Sequence, residues 1–404
     1  MSEWKVLTAE EFCDSVRDGT HDTPRQVECG YKLVTAKHIS NGQIDLSDAY
    51  LISESDYLKI NERSKVERWD VLMSMIGNGL GKSAVVKDNP QYAIKNLALF
   101  KIGDETRAKW LHYYLSSNKG QGFIYNSLQG SGQPFISLSL LRKFPIPVPD
   151  DEKIMRKVVA TLSRYDYLIE NYQKQIKLLE EAAQRLYKES FVDLHFPGHE
   201  NTKIVDGVPE GWEKKKIADV CDTIGGGTPS TKIASYYEGG TISWVTPTDI
   251  TRNNSLCLLS TEKKITKEGL NHSSAKMLPK ETILMTSRAS VGYFGICDFE
   301  VCTNQGFISC VPFENNFQMY LLYNLMNRVE EIRIKAGGST YLEISKSVFR
   351  NFDIICPTRS ITVEFQCKTH RLLERMKSLS SQIRLLTEAR DRLLPKLMSG
   401  EIAV

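Results

Sequence analysis

A heptad seam that occurs twice constrains this chain more than any other feature. Leu162, Tyr165, Ile169, Tyr172, Ile176, Leu179, Ala183 and Leu186 are spaced alternately three and four residues apart. That is the a/d stripe of a helix that packs along its length against another. The stripe returns as Leu372, Met376, Leu379, Ile383, Leu386, Arg390, Leu393 and Leu397. Counterparts from Tyr165 and Leu372 onward lie 207 residues apart, and Gln175-Ile-Lys-Leu-Leu-Glu-Glu-Ala matches Gln382-Ile-Arg-Leu-Leu-Thr-Glu-Ala. The first helix, about 152–190, would run roughly 58 Å. A lone amphipathic helix of that length needs a partner, and the chain supplies one that starts near Ser360. The pair is expected to be antiparallel, with a globular head at each end. The competing possibility is that each helix packs on its own domain.

The duplication extends beyond the helices. At an offset of 208, Trp4 matches Trp212, Cys13 matches Cys221, Gly19-Thr20 matches Gly227-Thr228, and Asn96 matches Asn304. The same offset relates Gly130-Ser131 to Gly338-Ser339, Ile136-Ser137 to Ile344-Ser345, and Arg142, Phe144, Ile146 and Pro149 to Arg350, Phe352, Ile354 and Pro357. Segments 21–95 and 229–303 match poorly, so one scaffold carries two divergent inserts, where differing specificities would sit. The predicted organisation is therefore 1–149 and 205–357 as two mixed α/β domains. Residues 150–204 are the first helix with its linker, and 358–404 the second helix. Within the domains, strands at Val71-Leu-Met-Ser-Met and Ile283-Leu-Met-Thr precede helices at roughly 106–118 and 316–335. The second helix is expected to be capped at Gly337-Gly338. Pro145, Pro147 and Pro149 exclude helix before residue 150.

Composition narrows the class. The 404 residues are too many for one core. No apolar run reaches the ~18 residues of a membrane span, and the start, Met-Ser-Glu-Trp-Lys, does not read as a secretory signal. Nine cysteines without a Cys-x-x-Cys pair fit reduced, buried thiols in a cytoplasmic protein. A formal charge of +3 neither requires nor excludes nucleic acid. Clusters such as Lys214-Lys215-Lys216 and Lys263-Lys264 are either a basic face or ordinary solvated surface.

Several segments imitate catalytic motifs without completing them. Gly77-Asn-Gly-Leu-Gly-Lys-Ser83 has Ile76 where a phosphate loop needs glycine, and Lys82 where a dinucleotide fingerprint needs one. It reads as a glycine-rich turn with Lys82 at its tip. Asn89-Pro-Gln-Tyr92 departs at Gln91 from the Asn-Pro-Pro-Tyr of amino-methyltransferases. Pro149-Asp-Asp-Glu-Lys153 reads as helix N-terminal charge. Pro197 and Gly198 separate His195 from His199 and disfavour a helical metal pair. The expectation is a chain with no chemistry, metal or cofactor of its own.

Gly337-Gly-Ser-Thr-Tyr-Leu-Glu-Ile-Ser345, then Phe352-Asp-Ile-Ile-Cys-Pro357, then the closing Leu394-Pro-Lys-Leu-Met-Ser-Gly-Glu resemble a specificity subunit of a type I restriction–modification system. Gly130-Ser-Gly-Gln-Pro-Phe-Ile-Ser137 is the first-half counterpart, and the likeness covers the whole chain. The resemblance implies two target-recognition domains that each read a few base pairs of double-stranded DNA. It implies an antiparallel coiled coil that sets the gap between half-sites. It also implies two methyltransferase subunits carrying S-adenosylmethionine, and restriction subunits using ATP and Mg where these exist. Arg390 in place of Ala183, and Thr369 opposite Leu162, depart from a regular seam and are expected either to weaken it or to face a partner.

Fork-shaped and amide side chains read base edges, whereas hydroxyls and lysines hold phosphates. On that basis the expected DNA contacts in the first half are Lys37, His38, Lys82, Asn96, Ser131 and Gln133. In the second half they are Thr246, Thr248, Asp249, Arg252, Ser287, Arg288, Tyr293, Asn304, Ser339, Thr340 and Tyr341. Two other readings compete: a self-contained DNA adenine methyltransferase, and a coiled-coil scaffold that does not touch DNA.

Overall fold

The structure, a computed structural model, describes residues 4–40, 42–129, 134–253, 255–338 and 341–402. The chain forms two compact units, residues 1–167 with 387–404, and residues 168–386.

The first unit is organised around an antiparallel sheet in the order Ser15–Asp18, Leu97–Lys101, Val71–Ser74, Ser83–Val85. Its central strands are apolar without alternation because both faces are covered. Ala98, Phe100, Val71 and Met73 point into one core, shared with Trp110, Leu111 and Ile124 of the helices Glu105–Ser116 and Asn118–Asn126. Leu97, Leu99, Leu72 and Ala84 point into another, formed with the insert residues Val34, Ile39, Tyr92 and Ile94. The second unit repeats this plan in five strands, Cys221–Gly225, Phe307–Pro312, Ile283–Thr286, Phe294–Cys297 and Cys257–Leu258. There Ile283 and Met285 face one core while Leu284 faces the other.

The inserts that diverge in sequence keep one topology. Tyr31–Val34 lies between antiparallel Leu51–Ile52 and parallel Tyr92–Ile94. Ile242–Val245 lies between antiparallel Lys263–Ile265 and parallel Cys302–Thr303. A two-stranded ribbon closes each unit in identical register: Lys5 stands opposite Val148, and Glu213 opposite Cys356. Pro145, Pro147 and Pro149 belong to the first ribbon. Being two apart, they place the missing N–H groups on the same, unpaired edge, which a strand tolerates and a helix does not.

The apolar residues identical between the halves turn out to be scaffold. Phe144, Ile146, Ile136 and their counterparts Phe352, Ile354 and Ile344 are buried. Arg142 donates to the Val16 carbonyl at 3.3 Å, and Arg350 to Thr223 at 3.5 Å, each tying the end of a short helix to the first sheet strand. A Cβ on Gly19 would lie 2.4 Å from the Ile94 carbonyl oxygen, and one on Gly227 2.3 Å from Ser274 Oγ. The glycines are fixed by close packing rather than by function. All nine cysteines are free thiols, and only Cys29 and Cys367 are exposed.

The long helices run Glu152–Tyr187, followed by a π turn at Lys188–Val192, and Arg359–Met398. Asp151 accepts from Lys153 N–H at 2.8 Å at the start of the first, consistent with N-terminal charge. The predicted helix at 316–335 is two, Gln318–Asn327 and Val329–Lys335. They break at Arg328, whose guanidinium donates to the Asp353 carbonyl at 2.6 Å and to Glu331 at 2.7 Å. The cap falls at Ala336, and Gly337 instead bridges Glu343 in extended form.

In the first unit, Met155, Val158, Val159 and Leu162 share the core with Leu394, Leu397 and Met398 from the end of the second helix. Tyr165 there is half-buried and Leu393 packs on the same core. In the second unit, Ile176 and Ala183 share the core with Phe365, Leu373, Met376 and Leu379, with Tyr172, Leu179, Leu186, Leu372 and Ile383 packed against it. Ile169 is buried and Leu386 half-buried. The stripe is therefore broader than the a/d seam: Leu373, Leu394 and Met398 lie outside it because each helix also packs on a globular core. The two irregular seam positions are satisfied internally. Thr369 is buried and donates to the Phe365 carbonyl at 2.7 Å, and Arg390 pairs with Asp166 at 2.8 Å.

Candidate nucleic-acid interface

Both units carry the same small ladder beside the main sheet. In the first, Phe135 bridges Ile76 and Gln129; in the second, Glu343 bridges Arg288 and Gly337. The ladder joins the turn that leaves the central strand to the loop that enters the Ile-Ser pair. Ile136 N–H donates to the Met75 carbonyl at 3.0 Å, and Ile344 N–H to the Ser287 carbonyl at 3.0 Å. Because Ile136 and Ile344 point inward, period-two alternation turns Phe135 and Glu343 outward.

The glycine-rich turn is a hairpin connection. Gly81 N–H donates to the Ser74 carbonyl at 2.9 Å, and Gly77 and Gly81 have φ of 76° and 80°. Gln121 holds the Gly81 carbonyl from below at 3.0 Å. Lys82, exposed at the end of the turn, makes no ion pair among the described residues.

The expected contacts divide by what their side chains already do. His38 is buried: its Nδ1 accepts from Thr35 N–H at 2.8 Å, and Nε2 lies 3.2 Å from Asp48. Burial holds its pKa below the usual histidine value, with Asp48 opposing only in part. It is thus removed from any surface role, as is Ser287, which is buried with its backbone spent on the ladder. Lys37 is exposed but pairs with Asp48 at 2.8 Å. Asn96, in the left-handed region at φ 54°, has its side-chain oxygen on His21 Nδ1 at 2.9 Å. Asn304 accepts from Gly306 N–H at 2.9 Å. Thr246 and Asp249 cap a helix, Pro247–Thr251: the Thr246 hydroxyl donates to Asp249 at 2.7 Å. Thr248 lies half-buried within that helix, and Arg252 is exposed at its end. Arg288, Tyr293 and Tyr341 are exposed. Ser131, Gln133, Ser339 and Thr340 lie outside the described residues. Sequence reasoning passed over Phe135 and Glu343, which the alternation around Ile136 and Ile344 would have flagged.

The basic clusters also divide. Lys214 and Lys216 hold Asp353 at 2.9 and 2.6 Å, which keeps that carboxyl near a pKa of about 2, and Lys215 pairs with Glu213. Lys263 and Lys264 are exposed and make no ion pair among the described residues. Elsewhere in the second unit, Glu281, His370 and Glu374 bring possible ligand atoms within 4.8 Å of one another. The space is already held by a cation: Lys377 Nζ lies 2.9 Å from Glu281 and 2.7 Å from Glu374.

The architecture is a tandem duplication, one mixed α/β scaffold built twice, each copy running into a long helix. Residues 1–181 and 209–393 match the model of the type I restriction modification DNA specificity domain, and the chain belongs to that family. It is similar to the MjaIX specificity subunit of Methanocaldococcus jannaschii, 37% identical over 37% of this chain and 35% of the relative. It is also similar to the HindI specificity subunit of Haemophilus influenzae, 32% identical over 48% of this chain and 42% of the relative. The matched part thus spans less than half of either relative. The fold is similar to that of the type I restriction–modification S subunit from M. genitalium, with a TM-score of 0.55 at 15% identity, covering 98% of this chain and 96% of that one. No helix among the described residues is long and apolar enough to cross a membrane.

Proposed function

We propose that this chain is the non-catalytic specificity subunit of a type I restriction–modification complex, and that it recognises a bipartite, asymmetric target in double-stranded DNA. The observation that carries this reading is the division of the duplicated sequence. The apolar residues identical between the halves, Ile136, Phe144 and Ile146 with Ile344, Phe352 and Ile354, are buried, and the segments that differ are inserts of one shared topology. Two copies of a frame with different exposed surfaces suit two different half-sites.

The long helices act as an antiparallel coiled coil that sets the gap and receives two methyltransferase subunits. In support, each unit combines the beginning of one helix with the end of the other. S-adenosylmethionine belongs to the methyltransferase partners, and ATP and Mg to restriction subunits. The chain works in the cytoplasm, where its DNA is.

Sequencing methylated adenines in the source genome, with and without this gene, tests the reading. Loss of one split motif on deletion is expected. A continuous motif, or unchanged methylation, would overturn it. Binding of S-adenosylmethionine by the chain alone would favour the self-contained methyltransferase instead.

A further inference from the structure

The outward position on the ladder carries different chemistry in the two units. In the first it is an apolar pair, Ile76 beside Phe135; in the second it is a charged pair, Arg288 beside Glu343. Arg288 Nε lies 3.6 Å from Glu343 Oε2, with both side chains 46% exposed. The backbone under them is fixed on both sides. Glu343 exchanges two hydrogen bonds with Gly337, at 2.8 and 2.9 Å, and Ala289, at φ 60°, donates to the Leu342 carbonyl at 2.8 Å. The backbone of Glu343 is thus held opposite Arg288, whose side chain makes no other ion pair among the described residues.

We infer that Glu343 is a specificity-determining residue that restrains Arg288 from binding phosphate indiscriminately; the inference rests on the DNA-recognition reading above. An unrestrained exposed arginine gains from any phosphate, whatever the sequence. A phosphate brings a full negative charge towards Glu343 and is repelled. A guanine edge offers two acceptors in fork geometry without net charge, so the carboxylate does not penalise it. The exposed pair is weak enough for such a contact to open it. The first unit, with Ile76 and Phe135 at this position, has no such restraint and no such arginine.

The test uses the full chain assembled with its methyltransferase partners and random-sequence duplex DNA. For Glu343→Gln, which keeps the side-chain shape, the log–log salt slope should steepen by about 0.9, the share of one phosphate contact. Between 50 and 200 mM salt that is an extra loss of affinity of about 3.5-fold. Arg288→Ala alone should leave the slope at the wild-type value, and Arg288→Ala with Glu343→Gln should return to it. In cells, Glu343→Gln should add methylated sequences that differ in one half of the motif only. An unchanged slope in Glu343→Gln, or a steeper slope that persists without Arg288, overturns the inference while leaving DNA recognition intact. Salt-insensitive behaviour of the wild-type complex removes the reading beneath it.

Discussion

Arg390 Nη1 lies 2.8 Å from Asp166 Oδ1, joining the end of the second long helix to the middle of the first within one unit. Asp166 also accepts from the Tyr113 hydroxyl of the globular part. The arginine that interrupts the seam is therefore a tie between both helices and the sheet-covering helix. Both partners are roughly three-quarters covered, at 27% and 28% exposure. Arg390→Ala leaves Asp166 without its cation and should cost about 1–3 kcal/mol in urea unfolding of the full chain. Arg390→Ala with Asp166→Asn should recover part of that loss; an additive loss would show that the pair does not act as one.

His112 should make stability depend on pH. Its Nδ1 lies 2.9 Å from Ser83 Oγ, and burial pushes its pKa down to about 4. An unfolded histidine titrates near 6.5. Between those values the unfolded chain binds the extra proton, so stability is full above about pH 6.5 and declines as the pH falls towards about 4. The loss from this residue should be roughly 3 kcal/mol. His112→Asn should flatten the decline measured by unfolding at several pH values. Some slope should remain, because His38 is shifted in the same direction.

Lys377 occupies the space between Glu281 and Glu374. Removing it by Lys377→Ala leaves Glu281 and Glu374 facing each other beside His370. The variant should lose about 1–3 kcal/mol and then gain thermal stability on addition of zinc, whose borderline chemistry suits His and carboxylate ligands. The wild-type chain should show no such gain. A zinc-dependent rise in the wild-type Tm would mean that the lysine does not hold the site.

Helix length should set the target gap. Four residues added to the first long helix between Tyr172 and Ile176 lengthen it by ~6 Å, against ~3.4 Å per base pair. The methylated motif should keep both half-sites and widen its gap by one or two base pairs. A gap that stays the same would dissociate the helices from spacing.

Period and offset made much of the architecture legible beforehand. The alternating three–four spacing identified both long helices, and the constant shift of 208 identified two copies of one frame. Both are local or repetitive properties that the chain states directly. The topology of the inserts was hidden because short strands of one topology accept many sequences. Leu33 and Trp244, unlike in size, each stand on the central strand of the small sheet and fill the core on one of its faces. The site was least legible. Residue type suggested His38 and Ser287, yet both are buried, while Thr246 and Asp249 are engaged in capping a helix.

The sequence by itself determined that this protein is a duplicated frame with two amphipathic helices, because hydrophobic periodicity and internal repetition do not depend on distant contacts. Only the tertiary structure decided which polar side chains remain available. Whether an asparagine caps a turn or an arginine meets a carboxylate depends on strands brought together from far along the chain. Arg288 and Glu343, 55 residues apart in sequence and adjacent on one ladder, show how such a pair arises.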